Sequence, residues 1–199
     1  IVAFWNAPVA QPDHALRACR AALRCQRRLT ERREELAQRT GATLKMRIGI
    51  NTGEVTVGNM GSRERFNYTV LGDAANLASR LEGANKFFGT YTMISESAWP
   101  AAAQGLVGRE MGRIRVVGRA TPVRVFEAVG LAGELVPDVV TEFERALKLC
   151  YAGQWREALS VLERFPGDAL SAKYAAHCKA MLADPSRKWD GVWTLTEKG

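Results

Sequence analysis

The sequence predicts an α+β fold, with a mostly antiparallel sheet carrying helices on one face and a small all-helical extension behind it. Three observations predict it. Short apolar runs that alternate or stop at glycine recur between Ile1 and Ala128. Longer stretches with apolar residues three and four apart lie between those runs, and after about Gly130 the strand signals stop.

Taken in order, Ile1–Phe4 reads as a strand, and Pro12 to about Arg39 as one helix begun by Asp13. Ala15, Cys19, Ala22, Cys25 and Leu29 form its apolar stripe, with arginines between them. Lys45–Thr52 alternates as a strand, and Glu54–Gly58 is a second one after a tight turn. Gly58–Tyr68 reads as a glycine-punctuated polar loop, Tyr68–Leu71 as a short strand, and Asp73 to about Phe88 as a helix that Asp73 caps. Tyr91–Ile94 follows as a strand, Ser95 as the cap of a short helix through Ala103, and Ile114–Val117 with Val123–Ala128 as a hairpin around Gly118–Pro122. Beyond this, Phe143, Ala146, Leu147, Tyr151, Trp155, Ala158, Leu159 and Leu162 mark a helical hairpin turning near Gly153, and Asp168–Leu182 continues as helix. The chain therefore divides into residues 1–130 and 131–199. The second part resembles a single tetratricopeptide-like unit, which cannot bury its own faces and needs a neighbour to pack on. Trp155, Trp189 and Trp193 are read as packing residues.

The 199 residues are 47% hydrophobic and 25% charged, an ordinary globular composition. No apolar run approaches the roughly 20 residues of a membrane span. The chain opens inside an apolar run at Ile1, which reads as a cut start. Cys19, Cys25, Cys150 and Cys178 lack metal-ligand spacing and read as reduced cysteines of a cytosolic protein. The formal charge of +7 is concentrated in Arg17–Arg39. With no aromatic residues interleaved to stack bases, that segment reads as a solvated basic face, and nucleic acid is not the expected partner.

The chemistry lies between Lys45 and Arg80. In GDAANLASRLE (Gly72–Glu82), Asn76 and Arg80 stand four apart on one helical face. An amide suited to a sugar oxygen then sits one turn from a guanidinium suited to phosphate oxygens, an arrangement for positioning and charge stabilisation.

Two longer strings surround these residues: RIGINTGEVTVGNMGS (Arg47–Ser62) and FNYTVLGDAANLASRLEGANK (Phe66–Lys86). In order and separation they resemble the class III adenylyl and guanylyl cyclases, and the resemblance runs from about Ile1 to Val129. The opening IVAFWNAP and the basic helix after it are similar to the bacterial branch. The resemblance implies a ferredoxin-like nucleotidyl cyclase sheet, and an adenylate cyclase that makes 3′,5′-cyclic AMP and pyrophosphate from ATP at the interface of a homodimer. It assigns Asn76 to the ribose, Arg80 to the α-phosphate, Lys45 and Thr69 to the purine, and Arg119 to the triphosphate. An ammonium and a hydroxyl suit adenine, which offers N1 as acceptor and N6 as donor, whereas guanine presents a hydrogen at N1.

The family also implies two divalent metal ions, Mg or Mn, held by two aspartates. Those positions fall before Ile1, and Asp13 and Asp73 do not match them, so no metal ligand is assigned within the chain. The expectation is that residues 1–199 alone are inactive. Bacterial relatives often carry sensory, sometimes membrane-anchored regions upstream, so the expectation is a cytoplasmic domain, with such a region upstream as a further candidate part of the protein. The alternatives are a guanylate cyclase, and a cyclase-like module that binds nucleotide or dimerises without catalysing.

Overall fold

The computed structural model describes residues 1–62 and 65–196. In chain order the elements are α1 (His14–Glu31), α2 (Arg33–Thr40), β1 (Ile48–Ile50), β2 (Thr56–Ser62), β3 (Arg65–Leu71), α3 (Asp73–Phe88), β4 (Thr92–Ser95) and α4 (Trp99–Ala102). They continue with β5 (Leu106–Arg115), β6 (Val123–Leu131), α5 (Asp138–Tyr151), α6 (Trp155–Leu162), α7 (Ala169–Ala183) and β7 (Val192–Thr194). Five strands form one sheet in the order β1-β4-β6-β5-β7, and β2 with β3 makes a separate hairpin. The β1–β4 and β5–β7 pairs are short and parallel. Antiparallel pairing dominates through the long β5–β6 ladder, from Leu106↔Leu131 to Ile114↔Val123, and through β2–β3 and β4–β6.

Successive strand residues point to opposite faces, and they sort two cores. Met93, Met111, Ile114, Val123 and Val125 pack with Leu77, Leu81 and Phe88 of α3 and with the helical extension. Ile50, Ile94, Leu106, Phe126 and Ala128 pack with Ala15, Cys19, Ala22 and Leu23 of α1 and with Ala98 and Ala102 beside and within α4. Helices thus cover the second face as well as the one the sequence predicts, because the Ala/Cys stripe of α1 is itself a face that has to be buried. Among the described residues no helix is long and apolar enough to cross a membrane.

Several elements differ from the sequence reading. Ile1–Trp5 forms no strand, and Ile1 and Val2 are exposed. Alternation supplies a strand face, but a strand also needs an edge to take its N–H and C=O groups. The expected single helix divides at Arg32, where the apolar stripe ends, and α2 buries nothing. Pairing shortens the Lys45–Thr52 strand to Ile48–Ile50, whose first amide donates to the Tyr91 carbonyl at 2.8 Å. The supposed loop Gly58–Tyr68 is largely hairpin, with Gly58 opposite Thr69 and Asn59 opposite Tyr68. Its central residues 63 and 64 lie outside the described residues. Ser95 ends β4 instead of capping a helix; α4 starts at Trp99 with no side-chain cap. Strands β5 and β6 extend well beyond the predicted hairpin because their bulges, at Val107/Gly108 and Glu110/Gly112, interrupt the alternation.

The extension buries its faces against the sheet and α3. Phe143, Leu147, Leu162, Leu170 and Tyr174 join the first core. At the junction Arg109 of β5, 3% exposed, donates to Glu127 of β6 at 2.8 Å and to Asp168, the N-cap of α7, at 2.7 Å. Its guanidinium carbon also lies 5.0 Å from the Phe143 ring centre. Burial pushes the Asp168 carboxyl up, but hydrogen bonds from Arg109 and Ser171 outweigh it and hold the group below its ordinary value. For the more deeply enclosed Glu127, burial outweighs the same arginine and the carboxyl is raised. The cysteines are free; Cys25 is exposed, whereas Cys150 and Cys178 meet in the interior at 3.6 Å between sulfurs. Contrary to the loss of strand signals after Gly130, residues 192–194 return to the sheet as β7 beside β5.

Candidate active site

Helix α3 lies tightly on β1. Gly49 makes that approach: a Cβ there would collide with the Ala78 carbonyl oxygen and the Glu82 amide. Asn51 Nδ2 donates to the Ala74 carbonyl at 3.0 Å, while Asn51 Oδ1 accepts from Ser97 at 2.8 Å. Further along, Arg47 pairs with Glu82 at 3.1 Å. Asn85, fully buried, donates to the carbonyls of Ile48 and Leu81 and accepts from Thr90. The N-cap is Gly72, at φ 145, and Asp73 occupies the first turn. The expected cap is therefore displaced by one residue, and Asp73 acts on the helix dipole instead.

With Leu77, Leu81, Ala84 and Phe88 turned to the core, α3 leaves Asn76 exposed and Arg80 half-buried on its free side. Arg80 then meets a second element. Its Nη2 lies 3.4 Å from where a Cβ of Gly118 would stand, in the turn between β5 and β6. Gly118 has φ 75, a conformation that glycine adopts without strain. The neighbouring Arg119 is exposed, and its amide donates to the Val116 carbonyl at 3.1 Å. Among the described residues no carboxylate pairs with Arg80 or Arg119. Two uncompensated guanidiniums on adjoining segments, with an amide one turn before the first, suit an anionic ligand carrying a polar sugar.

The other two expected residues sit on different elements. Lys45 is exposed in the segment before β1 and lines a cleft of about 580 Å³ with Gln26, Met46, Tyr91 and Thr92. Gln26 steadies that segment by donating to the carbonyls of Met46 and Tyr91. Thr69 is half-buried on β3, which leads through Gly72 into α3. Asn51, Asn85, Gly49 and Gly118 escaped the sequence reading. A glycine flanked by Arg47–Ile50 and an asparagine ending the same strand were its available signals.

Among the described residues no three His, Cys, Asp or Glu side chains converge, and Asp13 is engaged by Arg17 at 2.6 Å.

The sequence pattern of the family described as "Adenylate and Guanylate cyclase catalytic domain" matches residues 2–125. The chain belongs to the adenylate and guanylate cyclase family. This cyclase chain is 40% identical over 133 residues to adenylate cyclase 1 of Rhizobium meliloti, covering 66% of the chain and 20% of that protein. It is 33% identical over 111 residues to an adenylate cyclase of Anabaena cylindrica, covering 54% of the chain and 21% of the relative. The chain thus spans about a fifth of the length of these curated relatives. Among solved structures, the adenylyl cyclase CyaB from P. aeruginosa matches with a TM-score of 0.57 at 29% identity, over 65% of this chain and 66% of that one. The guanylyl cyclase Cya2 matches at 0.55 and 32%, over 64% of each. The α+β sheet is therefore a cyclase sheet. The family match stops inside β6, so β7 and the extension lie outside it.

Proposed function

We propose that this cyclase chain supplies the nucleotide-contacting half of a dimeric adenylate cyclase that converts ATP to 3′,5′-cyclic AMP and pyrophosphate in the cytoplasm. The meeting of Arg80 with the Gly118–Arg119 turn, one helical turn from Asn76, carries the reading. Asn76 orients the ribose so that its 3′-oxygen lies in line with the α-phosphorus. As the new P–O bond forms and the bond to the leaving pyrophosphate breaks, Arg80 stabilises the charge on the α-phosphate oxygens. Arg119 binds the outgoing phosphates, and Lys45 and Thr69 select adenine. The family's Mg or Mn ions would be held by two aspartates, and neither Asp13 nor Asp73 is assigned to them.

Mixing tests the reading. Residues 1–199 alone are expected to be inactive. Combined with a cyclase domain that has its metal-binding aspartates but a disabled asparagine and arginine, they are expected to restore cyclic AMP formation. Asn76→Ala or Arg80→Ala in this chain should cut the restored kcat about 100-fold or more. Cyclic AMP from the chain alone would overturn the placement of the metals, and failure to complement any such partner would leave a non-catalytic nucleotide-binding module. The likeness to a guanylyl cyclase makes GTP the competitor to offer in the same assay.

A further inference from the structure

The turn that carries Arg119 has few restraints of its own. Residues 118–121 are exposed, and one backbone hydrogen bond, from the Arg119 amide to the Val116 carbonyl, closes it. What holds it comes from the end of the chain. Arg115 Nε donates to the Ala120 carbonyl at 3.0 Å, inside the turn. The same guanidinium donates through Nη1 to Thr194 of β7 at 2.9 Å, and its Nη2 faces Asp190 at 3.8 Å. The backbone repeats the connection, since Leu195 donates to the Arg115 carbonyl at 3.0 Å and β7 pairs in parallel with Arg113–Arg115.

Strand β7 is anchored on its other side to α3. Trp193 packs edge-on against Phe87 and Phe88 with ring centres 5.3 and 6.0 Å away. Its indole N–H donates to the Tyr174 hydroxyl at 2.9 Å, which donates in turn to the Met111 carbonyl of β5. One three-residue strand therefore packs on the C-terminal end of the helix bearing Arg80 and, through Arg115, is linked to the turn bearing Arg119.

We propose that Arg115 and β7 form a strut that sets the distance between Arg80 and Arg119, so that the C-terminal extension governs how the site grips the triphosphate. The inference rests on the reading of Arg119 as a phosphate contact. Arg115 is a positioning residue: its rigid fork presents separate nitrogens to Ala120 and Thr194, a fixed geometry that an ammonium on a flexible stem does not impose.

The test uses the complementing mixture described above and steady-state kinetics with ATP. Arg119→Ala checks the underlying reading and is expected to raise KM. Arg115→Met is expected to raise KM about tenfold with a smaller change in kcat, within the range that a misplacement of about 1 Å produces. Arg115→Lys should fall between the two. Combined with Arg119→Ala, Arg115→Met should add little, because both act through one contact; a purely structural role predicts independent, additive effects. If Arg119→Ala raises KM while Arg115→Met does not, or if the two effects add, the strut is wrong and the site stands. If Arg119→Ala changes nothing, the site reading fails and takes the strut with it. Should Arg115→Met not fold, Thr194→Val removes one hydrogen bond from the β7 side and is expected to raise KM about two- to threefold. An unchanged KM there overturns the inference.

Discussion

Arg109 is a full charge held at 3% exposure, and two carboxylates share it. Removing Asp168 leaves Arg109 paired with Glu127 alone and takes the side-chain cap from α7, so Asp168→Ala is expected to cost about 2–3 kcal/mol in urea unfolding. The pH dependence follows from the direction of each shift. Asp168 is held below its ordinary value of 3.8, so its contribution is present above that value and is lost as pH falls through the depressed one. Glu127 is raised and acts in the opposite sense, since protonation relieves its burial. As pH falls below about 4, wild type should therefore lose stability more steeply than Asp168→Asn; equal slopes would remove Asp168 from the acid response. Substrate choice turns on two other residues. Lys45→Glu with Thr69→Cys is expected to lower kcat/KM for ATP relative to GTP, and unchanged ATP turnover would sink the base-selecting assignment. That Asn76 and Arg80 share the free side of one helix was legible from their spacing of four residues. Arg109 was not, because an arginine in an alternating strand looks solvent-facing until the carboxylate on a distant helix is known.

The span of helix α3 was legible from its apolar spacing, although its N-cap falls on Gly72 and not on Asp73. Strands fared worse for a physical reason: their lengths are set by partners remote in sequence. Thus β1 keeps only the residues that β4 pairs, while Gly108 and Gly112 disguise β5 as a loop. Glycine also marks a close approach of helix to strand. Gly49→Val should force α3 away from β1, because the atoms it would meet are backbone. The expected result is a marked fall in thermal midpoint together with loss of complementation, and a variant as stable and active as wild type would show that the helix has room to move.

At the scale of the whole molecule, the composition break near Gly130 reads as a domain boundary, yet the first core crosses it. Phe143, Leu170 and Tyr174 of the extension are buried against Met111, Ile114 and Val125 of the sheet. A chain ending at Leu131 would expose that face and leave Arg109 without Asp168. It is expected to lose cooperative unfolding by circular dichroism, and a sharp transition would establish residues 1–131 as an independent unit. The sequence did require the extension to find a neighbour, but it gave no sign of where, because Val192–Thr194 is too short to carry a periodicity. The position of β7 has a kinetic corollary. Arg115 and Thr194 are 79 residues apart, and α5, α6 and α7 lie between them. Closing so long a loop is entropically costly, and its ends are rewarded only once those helices have docked. The sheet should consequently be completed last on folding and opened first on unfolding. Substitutions in β7 would then accelerate unfolding and leave the folding rate nearly unchanged, a pattern that a chevron plot of Thr194→Val would reveal.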